Sequence, residues 1–310
     1  MSAPSISVIV FARNAGAMIE RALKSVCEPP SNEAEVLVLD GGSTDGTLEV
    51  VDKYRGAIAY LRSRPDSGPT EAINEGVRHA RGEVIALLPA DDWLESGALT
   101  FIGEQFARDG ALDVLTCGAR IVRTDVADAG QTWAEYCDEA HLGFTLPNIL
   151  RNPLTCARFI RKRVYDRLGG MDDSWTFADK EFLVRAYFAK VKSRVHTRLI
   201  YNFRRHAGSA TNSGRPEMII RMVQESLRLS RHYGSLPALT RPERTALRRL
   251  HAGASARLAV MLGQRAQFSA ARATLAGAFR TNPTWPLDAL AWYYGSAHEK
   301  YRNLRTSLTG

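Results

Sequence analysis

Two kinds of hydrophobic spacing divide the chain. Over the first hundred residues, short aliphatic runs alternate with stretches whose apolar positions recur every three or four residues. Residues 5–11, 35–40, 58–61 and 84–88 read as strands. Between them, 17–26 places Ile19, Ala22, Leu23 and Val26 on one helical face. A second helix opens from the turn at 41–47 and runs through Tyr54, and a third over 70–80 is stopped by Gly82. This alternation predicts a parallel sheet with right-handed crossovers.

The middle third is less regular. The pattern predicts strands over 114–122, 154–160 and 195–203, helices over 163–168 and 182–189, and a loop over 125–147. From Pro216 onward there are no strand signals, and 218–233, 242–262, 268–279 and 287–308 fit helices. The expected fold is α/β: a Rossmann-like, mostly parallel sheet flanked by helices over 1–215, then an all-helical region over 216–310.

Composition changes this picture in one place. At 310 residues with 45% hydrophobic and 24% charged content, the chain can bury one large core and a smaller second one. The net charge of +8, however, is uneven. Residues 1–215 hold 27 basic and 28 acidic side chains, whereas 216–310 hold 14 and 5. Such a basic unit predicts an acidic partner (phospholipid, a lipid diphosphate or nucleic acid) or an arginine-rich solvated surface. No nucleic-acid recognition motif accompanies the charge, so nucleic acid is not the expected partner. Trp285, Leu287, Leu290, Trp292, Tyr293 and Tyr294, beside Lys300, Arg302 and Arg305, suit either an interfacial helix for membrane docking or a closing helix. The apolar run at 6–12 is far short of the ~20 residues a membrane span needs, and no signal peptide is expected. Cys27, Cys117, Cys137 and Cys156 are scattered, which predicts reduced thiols and a cytoplasmic protein, peripheral on the membrane's inner face if the basic unit docks there.

The chemistry is concentrated after the strand at 84–88, where Pro89-Ala90-Asp91-Asp92-Trp93 presents two adjacent carboxylates. Unpaired charge at a strand end is costly. A divalent cation that takes oxygen ligands and carries phosphates accounts for it. Asp40, Asp66 and the Asp91/Asp92 pair all fall at the carboxyl edge of the predicted sheet, where ligands of such sheets bind.

Five landmarks in order make the chain resemble a family 2 glycosyltransferase of the GT-A fold over about residues 5 to 210. They are Ser7-Val8-Ile9-Val10 with Asn14, and Val38-Leu39-Asp40-Gly41-Gly42-Ser43-Thr44-Asp45. Ala72-Ile73-Asn74-Glu75-Gly76 with Ala80-Arg81-Gly82-Glu83, Ala90-Asp91-Asp92-Trp93, and Asp179 with Glu181-Phe182-Leu183-Val184-Arg185 complete the set. The resemblance implies inverting transfer of a hexosyl group from a nucleotide-diphosphate donor, with UDP expected, to a saccharide or lipid-linked acceptor in surface polysaccharide synthesis. It implies Mn²⁺ or Mg²⁺ on Asp91 or Asp92, a base contact from Asp40, and Asp179 as the general base for the acceptor hydroxyl. Phe11, Ala12, Arg13, Asn14, Asp66, Gly68, Asn74, Ala90 and His206 are expected around the donor.

Three positions depart from the family pattern. Pro89 stands where the leading acid of Asp-x-Asp is usual. Ala178 replaces the acid that normally precedes the base. Arg13 replaces an aromatic that would stack on the nucleobase, and its guanidinium plane can also stack. Trp93, Trp133 and Trp175 are candidates for the acceptor side or for the core. Two other readings stay open: a polyprenyl-phosphate sugar transferase, and a catalytically silent sugar-nucleotide-binding scaffold.

Overall fold

The four aliphatic runs of the first hundred residues lie side by side as parallel strands. These are β1 (Ile6–Ala12), β2 (Ala34–Asp40), β3 (Ile58–Ser63) and β4 (Val84–Pro89), in spatial order β3-β2-β1-β4. Helices α1 (Ile19–Cys27), α2 (Thr47–Lys53) and α3 (Pro69–His79) connect them. Every residue from Ile6 to Val10 is buried, as expected for a strand covered on both faces. The computed structural model describes residues 5–28, 33–124, 131–151, 154–206 and 216–290.

Beyond β4 the sheet becomes mixed. The chain turns through Asp91-Asp92 directly into the two-residue β5 (Trp93–Leu94), followed by α4 (Ala98–Arg108), β6 (Val114–Arg123) and β7 (Gln131–Tyr136). Then come α5 (Glu139–Leu142), α6 (Leu146–Arg151), β8 (Arg158–Arg161), α7 (Lys162–Leu168), α8 (Ala178–Phe188) and β9 (Ser193–Arg205). The order continues β4-β8-β6-β9-β5, with β7 on β6; β8 is antiparallel to both neighbours, and β6 with β9 is parallel. The mostly parallel sheet therefore describes the first four strands, and antiparallel pairing begins where helical crossovers stop.

Three local expectations change. The segment expected as a loop over 125–147 contains β7, α5 and α6; in β7 only Ala134 is buried, so its apolar signal is weak. The strand expected over 154–160 pairs from Arg158 on, which frees Thr155 and Cys156 to form a turn. Helix α8 starts four residues before the expected 182, which places Asp179 in its first turn.

Two of the sequence landmarks build the fold. The Ser7 hydroxyl donates to Glu35 Oε1 at 2.6 Å, and the Arg81 amide and guanidinium donate to the same carboxylate at 2.6 and 2.8 Å. Burial alone would raise the Glu35 carboxyl, but these donors outweigh it and hold it below the usual carboxylate range. Gly82 closes the latch by donating its amide to Ser7 Oγ at 2.8 Å. A Cβ there would sit 2.6 Å from the Ile6 carbonyl carbon and the Ser7 nitrogen, so only glycine fits.

Contacts divide the chain into one unit of residues 1–173 with 178–205, and a second of 174–177 with 206–310. The second unit holds α9 (Pro216–Gly234), α10 (Arg241–Gln264) and α11 (Phe268–Thr281). Val223, Leu227 and Ala254 form its small core, and a Thr240–Glu243 capping box starts α10. The helix expected over 287–308 lies mainly outside the described residues, as do Trp292, Tyr293, Tyr294, Lys300, Arg302 and Arg305. No helix among the described residues is long and apolar enough to cross a membrane. All four cysteines are free.

Candidate active site

The carboxyl ends of β1, β2 and β4 are in register, with Ala12 opposite Asp40 and Phe11 opposite Pro89. The Phe11 carbonyl accepts from Ala90 N–H at 3.1 Å, and that of Ala12 from Gly41 N–H at 2.8 Å. This ties the Asp40 turn and the Asp91 turn to one edge. Arg13 and Asn14 follow β1 and are exposed. Asn14 adopts φ 50°, its backbone N–H donates to Ser43 Oγ at 2.8 Å, and its side chain accepts from Thr44 N–H at 2.9 Å. Asn14 is thus the pin between the β1 and β2 loops.

Asp40 is fully buried. Its Oδ2 accepts from the amides of Gly42 (3.1 Å) and Ser43 (3.0 Å) and from Ser63 Oγ (2.7 Å), and its Oδ1 accepts from Ser43 Oγ. The carboxylate therefore organises the turn that follows β2. Oδ1 is the oxygen with acceptor capacity left for a base N–H. Asp66 lies beside it: Oδ2 takes the Arg62 guanidinium at 2.8 Å and Oδ1 the Gly68 amide at 3.1 Å. Gly68 itself sits at φ 132°, which glycine alone adopts readily, and nothing crowds the place its Cβ would occupy.

The geometry separates Asp91 from Asp92. Asp91 is half-buried, whereas Asp92 is 4% exposed and has both oxygens bound. Tyr201 Oη donates to its Oδ2 at 2.7 Å and Arg204 N–H to its Oδ1 at 2.8 Å. Burial, and then the adjacent charge of Asp91, push the Asp92 carboxyl well above the usual carboxylate range. Asp92 therefore fastens β9 to the end of β4. Arg204, brought in by that bond, is made less basic by burial, with Asp91 and Asp92 acting in opposition.

Asp179, also half-buried, comes in from the other side on the first turn of α8. Thr155 Oγ1 donates to its Oδ2 at 2.9 Å. The neighbouring Cys156 thiol is pushed up by burial and then by Asp92, Asp179 and Asp91. The charges of all three acids act on this thiol, and Thr155, which bonds Asp179, is its neighbour in the turn before β8. Sequence reasoning missed Thr155, because its signal is only a hydroxyl in a segment that reads as strand.

Other expectations change. Asn74, expected around the donor, is engaged with the chain before α8. Its side chain clasps the Met171 backbone, donating to the carbonyl at 2.7 Å and accepting from the amide at 2.9 Å, in the segment that leads to α8. Trp93 is 6% exposed with the Arg21 guanidinium 3.4 Å above its ring, and Trp175 is equally buried under Arg228 at 3.8 Å; both are packing residues. Trp133 is half-buried, with Arg205 4.6 Å from its ring. His206 follows β9 and begins the second unit.

Among the described residues, no group of three or more His, Cys, Asp or Glu side chains is placed to hold a metal ion. A single hard carboxylate beside a phosphate-bearing substrate still fits Mg²⁺ or Mn²⁺, which commonly bind through one or two carboxylates, water and the substrate's own phosphates. Asp91, half-buried and beside the fully bonded Asp92, is the residue that could supply such a carboxylate.

Asp40 and Asp91 thus follow neighbouring parallel strands at one edge of the sheet, with Asp179 on a separate helix, and comparison with known proteins gives this arrangement a family. The chain belongs to glycosyl transferase family 2, whose sequence model matches residues 7–169, just over half of the chain. That is the family the landmarks implied. A chondroitin synthase of Pasteurella multocida (strain Pm70) is 32% identical over 140 residues, 44% of this chain and only 14% of that protein's length. A PGL/p-HBAD biosynthesis glycosyltransferase of Mycobacterium bovis (strain BCG / Pasteur 1173P2) is 29% identical over 196 residues, 60% of this chain and 71% of that one. The fold matches S. aureus TarS 1-349 in complex with UDP-GlcNAc at a TM-score of 0.56 and 19% identity, covering 94% and 92% of the two chains. It also matches the mannosyltransferase PcManGT from Pyrobaculum calidifontis in complex with GDP-Man and Mn²⁺, at 0.57 and 18%, covering 97% and 88%.

Proposed function

We propose that this chain is a metal-dependent, inverting glycosyltransferase that moves a hexosyl group from a nucleotide-diphosphate sugar, UDP-linked, to a saccharide or glycolipid acceptor in surface polysaccharide synthesis. The observation that carries it is the pair of half-buried carboxylates, Asp91 at the carboxyl edge of the sheet and Asp179 in the first turn of α8 with one oxygen held by Thr155. Asp91 holds Mn²⁺ or Mg²⁺, which when bound neutralises charge on the departing nucleoside diphosphate. Asp179 takes the proton of the attacking hydroxyl, with Thr155 holding one of its oxygens and leaving the other for the acceptor. Oδ1 of Asp40 receives the base N–H, Arg13 stacks on the base, and Arg204 faces the diphosphate.

A thermal-shift panel of UDP-, GDP- and dTDP-sugars with Mn²⁺ tests the donor. The UDP sugar is expected to raise the melting temperature, by an amount that grows with its concentration over Kd, and the others are not. Stabilisation by a GDP sugar alone would overturn the UDP reading, and stabilisation by none would overturn the nucleotide-sugar reading.

For a lipid-linked acceptor, the second of the two acceptor classes, the protein sits on the cytoplasmic membrane face. This part rests on the excess of basic over acidic residues after 215 and on Phe268, Phe279 and Leu287, which are 70%, 55% and 69% exposed. Retention on phosphatidylglycerol vesicles but not on phosphatidylcholine vesicles is the expected result, and equal recovery in the unbound fraction from both would sink it.

A further inference from the structure

We propose that Arg158 is a positioning residue of the transfer step, a fixed buried counter-charge for Asp179 that the fold holds against its own stability. The inference rests on Asp179 being the base, and it reaches a residue that none of the sequence landmarks contains.

Arg158 opens β8, between β4 and β6 in the sheet, and is 1% exposed. Its Nε, Nη1 and Nη2 are all buried, and none has a hydrogen-bond partner. Thr116, opposite it on β6, also has a buried hydroxyl without a partner, and the Phe144 ring centre lies 5.9 Å from the guanidinium carbon. Nothing local therefore compensates the charge by hydrogen bonding. Arg161, three residues along the same strand, shows what a structural buried arginine looks like here. Its Nη1 meets Glu83 at 2.6 Å, its Nε the Leu112 carbonyl at 2.8 Å, and its Nη2 the Phe106 carbonyl at 2.9 Å.

A guanidinium that has lost its water and gained no partner is a burden on the folded state, and an apolar side chain of similar length packs there more favourably. Packing therefore does not explain Arg158, but its place does: its backbone N–H donates to the Thr155 carbonyl at 3.1 Å, and the Thr155 hydroxyl donates to Asp179 at 2.9 Å. Burial lowers its basicity to about 10, with the charge of Asp179 and then that of Cys156 opposing the change. Lys180, the next residue after Asp179, is a second desolvated cation, with Nζ 3.3 Å from the Leu150 carbonyl. The groups acting on this corner are thus Arg158 and Cys156 from the β8 segment, Lys180 from α8, and Asp91 and Asp92 through Cys156.

That arrangement answers a problem the cleft creates for itself. Three carboxylates already converge there, and an anionic nucleotide diphosphate must join them. Repulsion would turn the Asp179 carboxylate away from the acceptor. A cation buried beside the turn that holds Asp179 opposes this, and because it is buried without a hydrogen-bond partner, its field is little screened by salt. Thr155 fixes the direction of the carboxylate through one hydrogen bond, and Arg158 fixes its charge environment.

The test compares Arg158→Met and Arg158→Lys with the unaltered protein, measuring Mn²⁺-dependent nucleoside diphosphate release from UDP-N-acetylglucosamine and GDP-mannose alongside melting temperature. Arg158→Met is expected to lose on the order of 10- to 100-fold in kcat, with donor KM within about twofold and a melting temperature unchanged or raised by a few degrees. Arg158→Lys, which keeps the charge, is expected to retain most of the turnover. Wild-type kcat in Arg158→Met overturns the proposal. So does a lower melting temperature in that variant, whatever its turnover, because the guanidinium is then structural. Asp179→Asn is run beside them. If it stays active, the reading of Asp179 as base has failed; if it is inactive while Arg158→Met is fully active, the counter-charge alone has failed.

Discussion

Asp179→Asn is expected to lower turnover by about 10²- to 10⁴-fold, the range spanned by loss of a positioned general base, while leaving the fold and donor binding intact. The substitution isolates proton acceptance. Asparagine keeps a carbonyl oxygen for the Thr155 hydroxyl, which donates to Oδ2 of Asp179 at 2.9 Å, so the first turn of α8 keeps its anchor. What it loses is the negative oxygen left for the acceptor. Steady-state release of nucleoside diphosphate, with donor-induced thermal stabilisation measured on the same protein, checks both halves. A variant that still turns over within a few fold of wild type would remove Asp179 from the chemistry. One that loses the donor-induced shift would mean the residue supports binding instead.

The parallel half of the fold was legible because β1, β2 and β4 are buried on both faces and therefore read as nearly uninterrupted aliphatic runs, with only the edge strand β3 partly exposed. The Ile6–Val10 and Val84–Leu88 runs are the clearest cases. The second half was less legible for the opposite reason. β7 exposes most of its residues, and β8 is four residues long with arginine at both ends, so neither carries the periodicity that marks a strand. The early start of α8 was hidden because its apolar pattern begins at Phe182, while the turn before it is polar and carries Asp179.

The site was legible at the level of motifs and not at the level of roles. The landmark strings mix residues that face the cleft with residues that hold it up. Glu35, Arg81 and Gly82 form a latch at the opposite, amino-terminal end of the sheet, and Asn74 clasps Met171 across 97 residues. No spacing rule distinguishes such residues from ligand-binding ones, because the partner is brought near only by the fold. Thr155 and Arg158 show the converse. They belong to none of the landmarks, yet they adjoin Asp179, one by a hydrogen bond and the other by its field. Ala178, which replaces the family's neighbouring acid, pointed to that corner, and the structure shows two cations beside the remaining one.

The adjacent acids should behave as different kinds of residue. Asp91→Ala is expected to abolish Mn²⁺-dependent nucleoside diphosphate release, by at least about 10²-fold, with little change in melting temperature, because Asp91 is half-buried at the open edge. Asp92→Ala should instead be a stability variant. It strips the acceptor from the Tyr201 hydroxyl and the Arg204 amide, both of which bond Asp92 within 2.8 Å in a buried setting. Each stranded donor costs about 1–3 kcal/mol, so a loss of roughly 2–6 kcal/mol is expected from the two. Release of the buried carboxylate, itself disfavoured by desolvation and by Asp91, offsets part of that. Residual Asp92→Ala protein that stays folded should still respond to Mn²⁺, with a weakened dependence if Arg204 drifts once its backbone tie to Asp92 is cut. Melting curves and a Mn²⁺ titration of both variants decide the matter. If Asp92→Ala melts normally but no longer responds to Mn²⁺, while Asp91→Ala keeps its metal response, the two residues exchange roles and the ion lies one position further along the turn.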